Sequence, residues 1–266
     1  MTTMWQNGRF LNEGAVFLPN DRIRLGDGVF DTMLAIDSAL IHSNEHFKRL
    51  LTHAATLRIK TDWSVSDLKA AAEGLLDQNK YRNGKFVINS IISRGPAERG
   101  LKIPDHPSIQ TVLVVAPAPT AFPPVHAIVA TQVRRNEGSP LSTIKSCNYG
   151  DNILALAEAK EKGANEAILL NNKGLVTCAA GSNVFVVLGG KLYTPPVSDG
   201  ALDGITRKML IKRMGAKEKS LEPAELFENQ GLYVSNSVRG VVPVEILDGK
   251  KLPPPSLEID KEFHLI

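Results

Sequence analysis

A proline-rich segment near the middle of the chain restricts its fold more than any other feature. Residues 117–124 contain four prolines. Such a run cannot continue a helix or a central strand, because proline has no backbone N–H to donate. The shift in composition is typical of an interdomain linker. We therefore predict a smaller domain over residues 1–116 and a larger one over residues 125–266, a division that a chain of 266 residues allows.

Helical and strand-like patterns alternate on both sides of this segment. Asn7-Gly8 predicts a tight hairpin turn, and Ser64 with Asp67 is a candidate capping pair. Helices are predicted over residues 44–59, 66–79, 148–162, 205–214 and 222–229. Short apolar stretches between them predict strands. The sequence has no internal repeat, and the pattern favours an α/β or α+β fold with mixed sheets.

Composition and charge exclude several classes of function. The formal net charge is +3, and the densest basic run, residues 208–219, alternates with apolar residues at helical spacing, which does not indicate a nucleic-acid surface. No apolar run is long enough to span a bilayer, and residues 1–9 contain no hydrophobic signal core, so we expect a cytoplasmic protein without membrane contact. Cys147 and Cys178 form no zinc-ligand pattern. We expect two free thiols and no metal site.

Two short stretches carry residues suited to chemistry. Lys145 stands between a β-branched segment that we predict to be extended and the start of a helix, which would hold its ammonium group at the end of a rigid element. The glycines of Gly26-Asp27-Gly28 either let backbone approach a ligand or another segment closely, or simply make a turn, which is the simpler interpretation. Arg94 and Arg99 lie in a glycine-bracketed loop between two strands. They could hold a carboxylate, or they could be charged tips of an exposed loop.

Together with these stretches, several motifs resemble one family. The matching pieces are Arg24-Leu-Gly-Asp-Gly-Val-Phe-Asp-Thr32, His46-Phe-Lys-Arg-Leu50, Ile144-Lys-Ser-Cys-Asn-Tyr149, residues 157–171, Gly181-Ser-Asn-Val-Phe185, Asp203-Gly-Ile-Thr-Arg207 and residues 235–244. In this order they resemble the class IV pyridoxal phosphate enzymes, which include branched-chain aminotransferases, D-amino-acid aminotransferases and aminodeoxychorismate lyases. The resemblance implies the two-domain fold type IV, with pyridoxal 5'-phosphate at the domain interface, and a homodimer that acts on a small molecule.

The resemblance also implies roles for individual residues. Lys145, in the C-terminal domain, would form the Schiff base with the cofactor and later serve as general base and acid. The cofactor phosphate would meet Arg49, Ile205, Thr206 and Ser237. The helix beginning after Gly204 suits an anion on its own terms, because its first N–H groups have no partner within the helix.

One position departs from the family pattern. Members usually carry a glutamate five residues before the asparagine that is Asn183 here, and it pairs with the pyridine nitrogen of the cofactor. This chain has Cys178 at that position. Because a thiol cannot hold a pyridinium as a carboxylate does, the ring should withdraw electrons less strongly. Transamination should suffer more than an elimination that forms an aromatic ring. A small buried side chain without a role is the plainer interpretation of Cys178.

The loop that contains Arg94 and Arg99 also favours an elimination over transamination. D-amino-acid aminotransferases carry a tyrosine and a histidine at the positions of Phe30 and Leu101, so their carboxylate trap is incomplete here, although Arg94 and Arg99 remain. We therefore expect a lyase that converts 4-amino-4-deoxychorismate to 4-aminobenzoate and pyruvate for folate biosynthesis. The alternative is an aminotransferase for a branched-chain or D-amino acid. A third possibility is a non-catalytic relative that binds pyridoxal phosphate.

Overall fold

The computed structural model describes residues 2–12, 17–260 and 263 of the chain. The chain divides into two units: Met1–Pro119 with Ile144–Asn148 form the first, and Thr120–Thr143 with Tyr149–Ile266 form the second. The division near residue 119 falls within the proline-rich segment. Residues 144–148, which the sequence prediction assigns to the C-terminal domain, here group with the first unit.

The described part of the first unit contains one antiparallel sheet. Its strands are β1 (Met4–Gln6), β2 (Arg9–Leu11), β3 (Gly28–Ile36), β4 (Ala39–Leu40), β5 (Lys85–Ser93) and β6 (Gln110–Pro117). Their order is β2-β1-β6-β5-β3-β4. Along one side β3 pairs with β5 over its whole length, but β4 covers the other side only at Ala35 and Ile36. The N-terminal half of β3 therefore has an edge that β4 leaves open.

Two helices cover this sheet, α1 (Ser43–Thr56) and α2 (Val65–Gln78). Their apolar faces bury Phe47, Leu50 and Leu75 against Met33 and Ile88 of the sheet. Each such side chain contributes about 1.5–3 kcal/mol when it leaves water completely. The predicted capping pair is confirmed, because the Ser64 side chain accepts from the Asp67 backbone N–H and the Asp67 carboxylate accepts from the Ser64 backbone N–H at 2.8 Å.

The second unit has a larger mixed sheet. The strands within its described residues are β7 (Val125–Val129), β8 (Glu166–Leu170), β9 (Val176–Ala179), β10 (Asn183–Leu188), β11 (Lys191–Thr194), β12 (Lys217–Glu218), β13 (Leu232–Asn236), β14 (Gly240–Leu247) and β15 (Lys250–Lys251). The order is β12-β11-β10-β13-β14-β7-β8-β9, with β15 beside β14. The pairs β7–β8, β7–β14 and β11–β12 are parallel. Together with the first unit this confirms a mixed α/β fold with two sheets.

Three α-helices belong to the described part of the second unit. They are α3 (Pro140–Thr143), α4 (Gly150–Glu161) and α5 (Ile205–Met214). Small side chains of α4, Ala155 and Ala159, pack with Ala167 and Leu169 of β8. Leu210 of α5 joins a separate cluster that includes residues of β10 and β13. None of the helices among the described residues combines the length and the apolar character needed to cross a membrane.

Two predicted elements differ from the structure. The segment before Lys145 was expected to be extended, but α3 lies there, because Pro140 suits the first turn of a helix and the Ser139 hydroxyl accepts from the Leu141 N–H. The helix predicted over residues 222–229 is only a 3-10 turn, Pro223–Leu226. Asn229 ends it by donating to the Leu226 carbonyl.

Candidate active site

The candidate lysine is a turn residue at the start of a short stretch, residues 145–147, that bonds to the open edge of β3. The Phe30 N–H donates to the Lys145 carbonyl at 2.9 Å, and the Cys147 N–H donates to the Gly28 carbonyl at 2.9 Å. Val29 and Ser146 are opposite each other in an antiparallel bridge. The backbone of Lys145 is therefore held by the sheet, and a lysine in this setting has a defined starting point for its flexible side chain.

The two glycines of the motif at the start of β3 let neighbouring chain segments approach closely. At Gly26, where φ is +73°, an added Cβ would lie 2.2 Å from Oδ1 of Asn148. Asn148 donates to the Gly26 carbonyl at 2.9 Å. At Gly28 an added Cβ would lie 2.8 Å from the Ile92 carbonyl oxygen. The motif is therefore more than a turn, because it lets a second chain segment approach closely.

The amino group of Lys145 lies over an aromatic ring. Its Nζ is 4.2 Å from the centre of the Phe30 ring. Its backbone N–H donates to Nδ1 of His53 at 3.0 Å. His53 is a buried residue of α1 that the sequence analysis did not identify. The local sequence does not indicate this contact, because the two residues that make it are 92 positions apart.

Arg49, predicted to meet the cofactor phosphate, is held by a buried carboxylate. Its Nε donates to Oδ2 of Asp31 at 2.8 Å and its Nη2 donates to Oδ1 at 2.7 Å, while Nη1 is not engaged by this carboxylate. Nδ1 of His46 lies 2.8 Å from Oδ1 of Asp31. Burial alone would raise the pKa of Asp31, but the charge of Arg49 and the hydrogen bonds outweigh it and hold that pKa well below its usual range. Burial lowers the pKa of His46.

The two arginines predicted to bind substrate have different surroundings. Arg94 is 3% exposed and donates to both carboxylate oxygens of Asp27, at 2.7 and 3.0 Å. It also donates to the carbonyls of Leu57 and Arg58. Arg99, in contrast, is exposed. Arg94 thus joins the loop to the end of α1, whereas Arg99 is available at the loop surface.

A third arginine, Arg22, holds the C-terminal end of the same loop. Arg22 donates to Asp27 at 2.6 Å and to the carbonyls of Gly100 and Lys102, both at 3.2 Å. Burial would raise the pKa of Asp27, but Arg94 and Arg22 together lower it. A cavity of about 220 Å³ opens beside the loop, and its lining includes Arg99. The loop is therefore tied at both ends through one carboxylate, and Arg99 lies between the ties.

The second unit presents the start of a helix that suits an anion. No side chain caps the N-terminus of α5, and its first turn contains no acidic residue. Nδ2 of Asn183 donates to the Leu202 carbonyl at 2.8 Å, and an added Cβ at Gly204 would lie 2.0 Å from Oδ1 of Asn183. The side chain of Asn183 thus fixes the turn that leads into Ile205 and Thr206.

Ser237 lies in the turn between β13 and β14, close in the sheet to the strand that carries Asn183. Asn183 is paired with Ser235 across β10 and β13. The Oδ1 of Asn236 accepts from the N–H groups of Val238 and Arg239, at 3.0 and 2.8 Å, and so shapes the turn around Ser237. Ser237 itself is half-buried.

Cys178 lies in an apolar cluster beside a β-bulge. Leu170 is opposite Val176 while Leu169 is opposite Cys178, so Thr177 is the extra residue, and its hydroxyl donates to the Leu169 carbonyl at 2.9 Å. A bulge changes the face to which the following side chain points. Cys178 is 4% exposed and packs with alanines between the sheet and α4. Both cysteines are free thiols, as predicted.

Each unit thus contains some of the predicted site residues. The first unit brings Lys145 and Phe30 together, and α1 links them to Arg49 through His53. The second unit places Thr206 in the first turn of α5 and Ser237 in the turn after β13, and Asn183 of the neighbouring strand β10 holds the turn before α5. Within the second unit, an uncapped helix start and a glycine turn without space for a Cβ suit an anion such as a phosphate. Within the first unit, Arg49 has one nitrogen that the Asp31 carboxylate does not engage, which also suits an anion. Among the described residues no group of three or more His, Cys, Asp or Glu side chains could hold a metal ion.

Comparison with known proteins identifies the family of the chain. The model of the family "Amino-transferase class IV" matches residues 28–247. A "putative branched-chain-amino-acid aminotransferase" of Methanocaldococcus jannaschii is 31% identical over 93% of this chain and 88% of its own length. The D-alanine aminotransferase of Bacillus licheniformis is 30% identical over 92% of this chain and 88% of its own.

A solved structure from Legionella pneumophila is also similar. It is described as a "putative 4-amino-4-deoxychorismate lyase", and it superimposes with a TM-score of 0.84 at 29% identity over 91% of each chain. The fold is that of the fold type IV aminotransferases. Because the family model covers most of the chain and the relatives match more than nine-tenths of it, this chain belongs to the class IV aminotransferase family, whose members depend on pyridoxal phosphate.

Proposed function

We propose that the protein is an aminotransferase that acts on a branched-chain or similarly small aliphatic amino acid. The relatives named above are aminotransferases for branched-chain amino acids and for D-alanine. The sequence alone favours the lyase, whereas these relatives favour the alternative. The observation that carries the proposal is the Phe30 ring 4.2 Å from the Lys145 amine, because it gives the reacting amine an apolar neighbour without a hydroxyl group.

In this proposal Lys145 moves a proton at the α-carbon of the substrate. When bound, pyridoxal phosphate supplies a ring that withdraws electrons from that carbon. Lys145 would hold the cofactor covalently, and its amine, once released from that attachment and neutral, would take up the proton. The phenyl ring disfavours water around that amine. Arg49, Ile205, Thr206 and Ser237 are proposed to hold the phosphate.

The substrate carboxylate is assigned to Arg99. The donors of Arg94 are directed at Asp27 and at two backbone carbonyls, so we assign it the role of holding the loop. Arg99 is exposed and its loop is held at both ends. Leu101, at a position where D-specific enzymes carry a histidine, is 81% exposed, and its side chain cannot donate a hydrogen bond. A substrate of the D series is therefore the less favoured of the two aminotransferase substrates.

The lyase remains the second candidate because of Cys178. A buried thiol replaces the carboxylate that supports electron withdrawal by the ring, and an elimination that forms an aromatic product depends on that withdrawal less. The Legionella structure described as a lyase supports it further. Its substrate would be 4-amino-4-deoxychorismate and its products 4-aminobenzoate and pyruvate.

One experiment distinguishes the two candidates. The enzyme with bound pyridoxal phosphate is mixed separately with L-leucine, L-valine, D-alanine and 4-amino-4-deoxychorismate, without any keto acid. The cofactor absorbance and the release of pyruvate are followed. A stoichiometric absorbance change with the branched-chain amino acids supports the proposal. Pyruvate and 4-aminobenzoate from aminodeoxychorismate, with no change for any amino acid, would establish the lyase instead.

The proposal includes a homodimer. On α4, Ile153, Leu154 and Leu156 are 65%, 52% and 39% exposed, and they occupy one face of the helix with Ala157. Single exposed apolar residues are ordinary on a protein surface, but an apolar face on one helix favours contact with another chain. The face opposite to it packs on β8 through Ala155 and Ala159. We assign the exposed face to the contact with a second copy.

A further inference from the structure

His53 is the group on α1 that contacts the Lys145 backbone directly. Its Nδ1 accepts the hydrogen bond from the Lys145 N–H at 3.0 Å, and the imidazole is 8% exposed. The carbonyl of the same lysine accepts from the Phe30 N–H at 2.9 Å. Both peptide groups next to the Lys145 Cα are therefore held, one by the sheet and one by a side chain.

The position of His53 on the helix relates the lysine to Arg49. The two residues are four positions apart on α1, so they lie on one face, with Cβ atoms about 6 Å apart. Arg49 is fixed in turn by Asp31, the residue after Phe30 in β3. One face of α1 thus contacts the Lys145 backbone through His53 and carries Arg49, the arginine assigned to the phosphate. A small movement of the lysine backbone relative to Arg49 would misplace a cofactor held at both points.

The hydrogen bond also defines the state of the imidazole. A backbone N–H can only donate, so Nδ1 must carry a lone pair, and in the neutral ring the proton is then on Nε2. A backbone amide donor cannot be satisfied by an aliphatic side chain of the same size. This makes the contact specific for an acceptor at the position of Nδ1.

We propose that His53 is a positioning residue for Lys145, acting through its Nδ1 acceptor on the lysine backbone N–H. The inference rests on the assignment of Lys145 as the lysine that binds pyridoxal phosphate, and it is independent of which amino acid is the substrate. His53 touches neither substrate nor cofactor in this role. It fixes the point from which the lysine side chain extends.

The test uses side chains that move the acceptor. His53→Asn places an amide oxygen at the distance of Nδ1, and His53→Gln places it at the distance of Nε2. His53→Leu removes the acceptor and keeps much of the volume. Each full-length variant is mixed with pyridoxal phosphate alone. The rate of covalent attachment is followed by absorbance, the pH midpoint of the attached cofactor is titrated, and the thermal unfolding midpoint of the apoprotein is recorded.

We expect His53→Leu and His53→Gln to slow attachment about tenfold, which corresponds to one hydrogen bond, and to shift the pH midpoint. His53→Asn should restore both to within about twofold, because it restores the acceptor. If His53→Leu does not fold, His53→Gln gives the same comparison with a polar side chain. Equal behaviour of the Asn and Gln variants, or wild-type values in the Leu variant, would overturn the inference. Absence of cofactor on Lys145 in the wild type would overturn it together with the lysine assignment.

Discussion

Asp31 holds Arg49 by two hydrogen bonds, from Nε to Oδ2 at 2.8 Å and from Nη2 to Oδ1 at 2.7 Å. The carboxylate is 2% exposed, so the pair is shielded from solvent on the side of Asp31. An arginine held in this way keeps one edge of its planar group in a fixed orientation. This is the property that recognition of a phosphate requires.

Replacing Asp31 by Asn should weaken pyridoxal phosphate binding and destabilise the protein. Breaking a buried ion pair leaves a charge without its partner and costs about 3–5 kcal/mol. The free energy of unfolding is measured by urea titration, and cofactor affinity by equilibrium dialysis. Asp27→Asn is the matched control, because Asp27 is also held by arginines but has no contact with Arg49. It should lose stability and keep its cofactor affinity, and a control that loses affinity equally would contradict the assignment of Arg49.

The same pair predicts a dependence of stability on pH. The pKa of Asp31 is depressed in the folded protein relative to about 3.9 in the unfolded chain. Its stabilisation is therefore fully present above the unfolded pKa and is lost as the pH falls toward the folded pKa. Unfolding midpoints of the wild type and of Asp31→Asn should converge as the solution is acidified below about pH 4. If the difference between the two unfolding midpoints stayed constant down to low pH, the charge of the Asp31 carboxylate would not be what stabilises the folded protein.

Gly26→Ala should damage the lysine segment more than its backbone angle alone explains. Gly163 is the matched control, since both glycines have φ of +73° and an added Cβ at Gly163 meets nothing within 4 Å. The backbone cost alone is about 1–2 kcal/mol. Gly26→Ala also brings a Cβ to 2.2 Å from Asn148. We expect a larger loss of thermal stability and slower attachment of pyridoxal phosphate in Gly26→Ala only. Equal effects of both substitutions would mean that the close approach is not needed.

Cys178→Glu should raise transamination if Cys178 faces the ring nitrogen of the cofactor. A carboxylate there would keep the ring protonated and strengthen electron withdrawal, and we expect a rate gain of about tenfold in the half-reaction with the best amino acid. Cys178→Gln is the control of equal size without charge. The half-reactions of both variants are followed by stopped-flow absorbance. Unchanged rates in the Glu variant would show that this buried position does not reach the nitrogen.

Leu154→Asp should convert the proposed homodimer into a monomer. Leu154 is 52% exposed on α4, and Leu18, 55% exposed in the other unit, provides a control with the same chemistry elsewhere on the surface. A carboxylate buried in an apolar contact without a partner is costly, whereas the same change on a free surface is nearly neutral. The oligomeric states of Leu154→Asp and Leu18→Asp are compared by sedimentation velocity at several concentrations. A dimeric Leu154→Asp variant would place the contact elsewhere.

Elements with local signals could be predicted from the sequence. The helix over residues 205–214 and the Ser64–Asp67 capping box both depend on residues within one or two turns, and the structure confirms them. The extended segment predicted before Lys145 was wrong because a serine cap and a proline favour a helical turn. In each case, residues within a few positions of the element determine its structure.

The parts of the site that escaped prediction depend on distant partners. Asp27 meets Arg94 across 67 residues, and His53 meets the Lys145 N–H across 92 residues. A sequence pattern does not show whether an arginine in a loop will bond a carboxylate of the protein or remain exposed. For the same reason the glycine motif could be interpreted as a turn, while its role toward Asn148 emerges only from the folded chain.

The stretch at the edge of β3 has a consequence for synthesis of the chain. All six strands of the first sheet are complete by Pro117, but the residues that pair with Gly28 and Phe30 are made only about 30 residues later. On the ribosome, this sheet passes through a stage with one exposed strand edge, the kind of surface on which nascent chains aggregate. A fragment that ends at the proline-rich segment would keep that edge exposed permanently. Lys145, the lysine that we assign to the cofactor, thus arrives together with the segment that closes the sheet, so an N-terminal fragment lacks both this lysine and the protection.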